Sequence, residues 1–273
     1  MHVGCHVSIA GGIQNAPERA SNLGCEVMQI FTRPPQGGKA PELIKETIKN
    51  FEAQVTNYGL QDFYIHTPYY INLASANNRI RYGSVSVIRA ELERGSLIGA
   101  KYVITHIGSA KEYGHKEAIK KVVEMLKKSL DGYAGTTKLL FENSAGAGEI
   151  IGDDLGELAE IIGKTKNPTI AGICLDTQHS FASGYDWRDF DITLKKVNSE
   201  IGIKNIKLMH ANDSQTDLGS KKDRHEHIGK GKIGLDAFSN IVAFAKKNNI
   251  DMLCETEYPK NKDDIEILKK LRG

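Results

Sequence analysis

The chain has 273 residues, of which 40% are hydrophobic and 26% charged, with a formal net charge of +2. That is enough to bury one sizeable core, and no run approaches the 18 or so consecutive apolar residues a membrane span requires. The near-neutral balance rules out a domain that is basic throughout, so nucleic-acid binding has to be argued from local charge.

The opening MHVGCHVSIAGG has no basic leader and runs straight into a strand pattern, so no signal peptide is expected. Cys5, Cys25, Cys174 and Cys254 form no Cys-x-x-Cys pair. They are expected as buried, reduced thiols of a cytoplasmic protein. Eight short apolar runs then follow in order: HVGCHV, EVMQIF, DFYIH, KYVITH, KLLFEN, AGICLD, NIKLMH and DMLCET. Between them lie segments of helical periodicity, such as PELIKETIKNFEAQV, KEAIKKVVEMLKKSL and LDAFSNIVAFAKKN. Apolar strands alternating with amphipathic helices predict a parallel sheet covered by helices. Eight evenly spread strands suit a closed (β/α)8 TIM barrel better than a doubly wound open sheet. No Pro/Gly/Ser-rich linker divides the chain, so a single domain over residues 1–273 is expected.

From the third run onward, each strand finishes on a residue able to bind metal: His66, His106, Glu142, Asp176, His210 and Glu255. Barrel active sites lie at the C-terminal ends of the strands, so these six side chains are expected at one mouth. One histidine at a strand end is more often structural than a ligand, but six groups at equivalent positions have a single explanation in metal coordination. Otherwise each would need separate neutralisation beside an apolar core. His179 in LDTQH and Asp223 and His225 in KKDRHEHIG extend the set. An extended Asp-x-His puts both side chains on one side. His227 shares that alternation, so spacing alone does not choose between it and His225; the motif selects His225. Nine imidazole and carboxylate groups exceed one tetrahedral zinc and suit three, if a carboxylate bridges and water completes the shells. Without thiolates, the set favours zinc or manganese. His6, ending the first run, is expected to orient ligands rather than bind metal. His2 and His115 are expected in solvent or in packing.

The chain resembles the endonuclease IV family of zinc-dependent apurinic/apyrimidinic endonucleases. The resemblance runs nearly end to end, through HVSIAGG, HTPYYINLAS, THIGS, FENSAGAG, LDTQHSFASGYD, HANDSQTDLGSKKDRHEHIGKGKIG and CETEYP. It implies a first zinc on His66, His106 and Glu142, a second on Glu142, Asp176, His210 and Glu255, and a third on His179, Asp223 and His225. Glu142, as the bridge, would be the catalytic carboxylate, and one of the three sites could take manganese. The implied substrate is double-stranded DNA with an abasic site. It would be cut on the 5′ side to leave a 3′-hydroxyl and a 5′-deoxyribose phosphate. An abasic nucleotide has no pairing or stacking to lose on extrusion. A monomer is expected, since the DNA-bending surface occupies the barrel mouth.

The resemblance also places DNA contacts. Tyr69 and Tyr70 stand where the family inserts residues beside the lesion, and an aromatic there replaces lost stacking. In the loop RPPQGGK, Gln36 and Gly38 stand where many members carry Arg and Trp, so this loop is expected to grip the gap less rigidly. Arg33 and Lys39 are candidates for phosphate contacts, as is Arg224 among Lys221, Lys222, Lys230 and Lys232. By contrast, Lys120, Lys121, Lys127 and Lys128 have the helical spacing of a solvated face. Two rivals remain. A sugar isomerase or epimerase would use Glu142, Asp176, His210 and Glu255 but has no use for His179, Asp223 and His225. A non-catalytic DNA-binding or metal-storage barrel would not need the full set.

Overall fold

Eight parallel strands close on themselves in the computed structural model, which describes residues 1–273. They are β1 (Val3–His6), β2 (Val27–Ile30), β3 (Asp62–His66), β4 (Tyr102–Thr105), β5 (Lys138–Glu142), β6 (Ile170–Asp176), β7 (Ile206–His210) and β10 (Asp251–Cys254). Each pairs with its sequence neighbours, and β1 pairs with β10 to shut the barrel. The (β/α)8 expectation is met, with one strand per predicted apolar run. A two-residue antiparallel pair, β8 (Asp213–Ser214) with β9 (His225–Glu226), was not anticipated. It stands in the long connection after β7, where no apolar periodicity marks it.

The pleat sorts the strand residues into two cores. Val27, Tyr64, Ile104, Leu140, Cys174, Leu208 and Leu253, one from each of seven strands, fill the barrel interior. A second cluster of 60 buried residues lies between the sheet and the helices. β1 contributes Gly4 at the level of Val27 and Leu253. A Cβ at Gly4 would lie 1.7 Å from the carbonyl oxygen of Val27, so the barrel closes on a residue without a side chain. All four cysteines are buried and unpaired by disulfide, as expected.

The outer layer is made by α1 (Ala16–Asn22), α2 (Lys45–Asn57), α3 (Asn78–Ile98), α4 (His115–Leu130), α5 (Leu155–Thr165), α7 (Phe190–Glu200), α8 (Leu235–Asn248) and α9 (Asn261–Arg272). α4 and α8 fall where the periodicity put them. α2 starts four residues later than PELIKETIKNFEAQV predicts, because Ile44 is extended and Pro41 begins a stretch with no helical hydrogen bonds. α3, the longest, is capped by the Asn77 side chain, which accepts from the Arg79 amide at 2.9 Å, and it stops at Gly99 with φ 79°. The short α6 (Thr177–Ala182) follows β6 directly, with Asp176 as its N-cap accepting from the His179 amide at 2.7 Å. That turn brings His179 back over the strand end that carries Asp176. No helix is long and apolar enough to cross a membrane.

Gly4→Ala is expected to lower stability by at least about 1–3 kcal/mol, since the new methyl group must displace backbone. A urea titration monitored by circular dichroism measures it; an unchanged midpoint would show that β1 and β2 can separate freely.

Candidate metal centre

His66, Glu142, Asp176 and His210 are the last residues of β3, β5, β6 and β7, while His106 and Glu255 directly follow β4 and β10. Barrel closure therefore turns positions scattered over most of the sequence into one ring. Their ligand atoms form three groups: His66, His106 and Glu142; Glu142, Asp176, His210 and Glu255; and Asp176, His179 and His225. Neighbouring groups share a carboxylate. Glu142 Oε2 lies 2.8 Å from His66 Nε2 and 3.5 Å from His106 Nε2, while its Oε1 lies 3.0 Å from His210 Nδ1. Asp176 Oδ2 lies 3.9 Å from His210 Nδ1 and 3.7 Å from His225 Nε2. Asp223, arriving from the loop before β9, puts Oδ1 3.4 Å from both His179 Nε2 and His225 Nε2. The third group thus holds Asp176 with the expected His179 and His225, and Asp223 stands beside the two imidazoles at its open side. The others are buried, or in the case of His106, His225 and Glu255 partly buried, but the Asp223 side chain is 58% exposed.

The tautomers show what these groups lack. His66 Nδ1 donates to the Thr67 carbonyl at 2.6 Å, His179 Nδ1 to that of Asn143 at 3.0 Å, and His225 Nδ1 to that of Glu255 at 3.3 Å. His210 Nε2 donates to the side-chain oxygen of Gln29 at 2.8 Å. Each imidazole in its neutral form therefore turns a lone pair inward. Those lone pairs face carboxylate oxygens, and His179 Nε2 faces His225 Nε2 at 3.4 Å. Such contacts are repulsive unless a positive species lies between them. Either extra protons or metal cations meet that need, and the donor set fits divalent cations of the zinc type.

The electrostatics match. Burial alone would lower the imidazoles of His66 and His179, but Glu142 beside His66, and Asp176, Asp223 and Glu142 around His179, hold both above the ordinary histidine range. Burial likewise opposes charge on His210, which is nevertheless raised by Cys174, Glu255 and Glu142. Glu142 responds in mirror image. Burial would raise it, yet His106 and His210, with hydrogen bonds from His179 and His210, hold it well below the carboxylate range.

The other predicted residues divide. His6 accepts from Gln29 Nε2 through Nδ1 at 3.0 Å and lies 3.9 Å from Glu255, beside the site but outside the three groups. β9 ends at Glu226 and a turn begins at Ile228, so His227 lies outside the strand and donates instead to Asp264 at 2.7 Å. His115 pairs with Glu157 at the surface, and His2 lies near Asp251. Tyr69 is 67% exposed at the rim, packed edge-on to Phe31, whose ring in turn contacts His66. Tyr70 is partly exposed, Gln36, Lys39 and Arg224 are exposed, and the Tyr69 amide bonds to the Pro35 carbonyl, so the two loops stand side by side. Arg33 does not reach outward. It is bound to Glu91, which is fully buried, and so is lost as a phosphate contact.

Four polar residues at the mouth were missed. Gln29 and Asn143 bond to the ligand imidazoles of His210 and His179, and Asn143 also clamps the Asp176 backbone at both ends. Asn212 donates to Asp176 Oδ2 at 2.7 Å and accepts from the Glu255 amide at 2.8 Å. Asp213, fully buried, accepts from the amides of Gly229, Gly231 and Ile233 and ties down the loop beyond β9. An amide inside an apolar run (Gln29), or just after a ligand (Asn143, Asn212), is the available signal. The mouth encloses a cavity of about 640 Å³.

A family model described as the xylose isomerase-like TIM barrel matches residues 17–271. The probable endonuclease 4 of Nitrosopumilus maritimus is 38% identical, over 100% of this chain and 99% of that protein. The chain belongs to the endonuclease IV family. A second endonuclease IV relative, from Methanoculleus marisnigri, is 36% identical over 99% of this chain and 97% of its own. The crystal structure of endonuclease IV from Thermus thermophilus superposes with a TM-score of 0.88 at 30% identity, covering 99% of this chain and 98% of that one. A D-tagatose 3-epimerase-like protein shares the fold, with a TM-score of 0.76 at 21% identity.

Cations and protons compete for the same lone pairs, so pH should govern metal uptake. His66, His179 and His210 keep protons to higher pH than free histidine, so metal affinity is expected to fall as pH drops through that raised range and to level off above it. Calorimetry of zinc binding at pH 7 in buffers of different ionisation enthalpy should show proton release. Binding without proton release would contradict this account of the site.

Proposed function

We propose that the chain is a metal-dependent DNA-repair endonuclease that hydrolyses the phosphodiester bond 5′ to an abasic site, using three divalent cations. Zinc is the cation the donors suit best, with manganese an option at one position. The observation that carries this is the row of three ligand groups joined by Glu142 and Asp176, with every resolved tautomer turning a lone pair inward. Family membership supplies the substrate class.

Bound cations would supply Lewis acidity to the phosphate and an acidified water as nucleophile. Glu142 spans the first two groups with its two oxygens and so fixes their separation. Asp176 joins the second and third groups through Oδ2 alone, which faces both His210 and His225. Asp223 comes from the β8–β9 connection and His225 opens β9, and the connection also carries Lys221, Lys222 and Arg224, so these two residues and a basic stretch arrive together. Tyr69, exposed and backed by Phe31, offers a face to stack beside the gap left by a missing base. The cavity has room for one extruded nucleotide, and an abasic one is extruded most easily. We propose further that the barrel works as one domain and as a monomer in the cytoplasm.

The middle group alone would also suit a sugar isomerase, which holds adjacent sugar oxygens on a metal. His179, Asp223 and His225 have no part in such chemistry, and their convergence favours the nuclease.

Incision of a labelled duplex with one abasic site, beside an undamaged duplex, tests the proposal. Selective cutting 5′ to the lesion, abolished by prolonged chelation and restored by zinc, is expected. A folded, fully metallated protein that cuts neither duplex would sink it. His225→Ala should lower cleavage by at least about 100-fold, more than loss of a typical outer partner, while the fold persists. Full activity with only two bound metals would refute the three-metal mechanism.

A further inference from the structure

We infer that Gln29 is a positioning residue for the metal centre, a single buried amide that sets the tautomer of His210 and orients Glu255. This rests on the metal-centre proposal above and concerns a residue outside its ligand set. Gln29 lies in β2 among Val27, Met28 and Ile30 and is fully buried. A primary amide in an apolar strand is costly unless its hydrogen bonds are made. Here they are all made to the site. Oε1 accepts from His210 Nε2 at 2.8 Å, while Nε2 donates to Glu255 Oε1 at 2.6 Å and to His6 Nδ1 at 3.0 Å.

The amide's orientation follows from its partners. An ionised carboxylate only accepts, so the NH2 end must face Glu255, which leaves the oxygen for His210. The consequences reach both ligands. With Nε2 carrying the proton, His210 presents the Nδ1 lone pair to Glu142 and Glu255, at 3.0 and 3.2 Å. With Oε1 engaged, Glu255 keeps Oε2 for the site. Among uncharged side chains only Asn and Gln carry an acceptor and two donor hydrogens on one planar head, and the distance across from β2 needs the longer one. A packing role alone would be filled equally well by Met.

Two full-length variants test this. Gln29→Met keeps the shape and removes the hydrogen bonds. Gln29→Glu keeps an acceptor for His210 but sets a second carboxylate against Glu255. The readouts are zinc retained per chain against increasing chelator, nitrogen NMR of the imidazole tautomers, and thermal melting to verify folding. Gln29→Met is expected to surrender one zinc about 10–100-fold more readily than the parent, keep the others, and show His210 in mixed tautomers. Gln29→Glu should restore the single His210 tautomer, with zinc retention between the two.

Parental zinc retention and an unchanged tautomer in folded Gln29→Met would overturn the inference. If that variant does not fold, Gln29→Glu decides alone, and parental retention there overturns it. A parent protein that takes up no zinc would overturn the metal-centre proposal and this role with it, whereas a zinc-loaded parent matched by Gln29→Met removes only the role of Gln29.

Discussion

Glu142 is a carboxylate buried at the end of a barrel strand, ringed by the imidazoles of His66, His106, His179 and His210. Left alone, that charge would be too costly to bury. It is tolerated only with a positive species, an extra proton or a cation, between it and the nitrogen atoms that neighbouring strands and the turn after β6 bring to it. The same ring explains why the site wants cations. Its inward-facing atoms are nearly all acceptors, and the donors that could have relieved them point outward to backbone carbonyls and to Gln29. The mouth is thus kept short of positive charge, and a divalent ion satisfies several acceptors at once.

Rigidity comes from a second ring of neutral amides. Asn143 fastens the backbone of Asp176, Asn212 joins Asp176 to the Glu255 amide, and Gln29 joins His210 to Glu255. These are uncharged groups, so they bind the ligands without adding to the electrostatic cost of the centre. They also link strands that are distant in sequence, so that displacing one ligand strains another.

The third group is built differently. Asp223 and His225 come from a connection rather than a barrel strand, and the short β8–β9 pairing with the buried Asp213 is what fixes it. Asp223 is the most exposed ligand candidate, consistent with a site that opens to a large substrate. The exposed Tyr69, leaning on Phe31, stands at the same rim, so aromatic surface and an exposed ligand candidate face the same open space.

The barrel was legible in the sequence because its strands are apolar runs of regular spacing, and periodicity is a local property. The clustering of the candidate ligands at one mouth was legible for a related reason. A strand terminus is visible in sequence, and the fold sends every C-terminal terminus to the same mouth. What the sequence left open depended on contacts across the fold. His225 and His227 alternate identically, and only the end of β9 and the carboxylate of Asp264 separate them. Arg33 looked free for phosphate until Glu91, on the distant α3, claimed it. Asp176 enters the third group because a single helical turn folds His179 back over it. The Gln29 amide is one polar letter in an apolar run, and its meaning depends on His210 and Glu255, placed beside it by barrel closure alone. Residue type and strand position were written locally, whereas partner choice is a matter of distance in space, which only the tertiary structure decides.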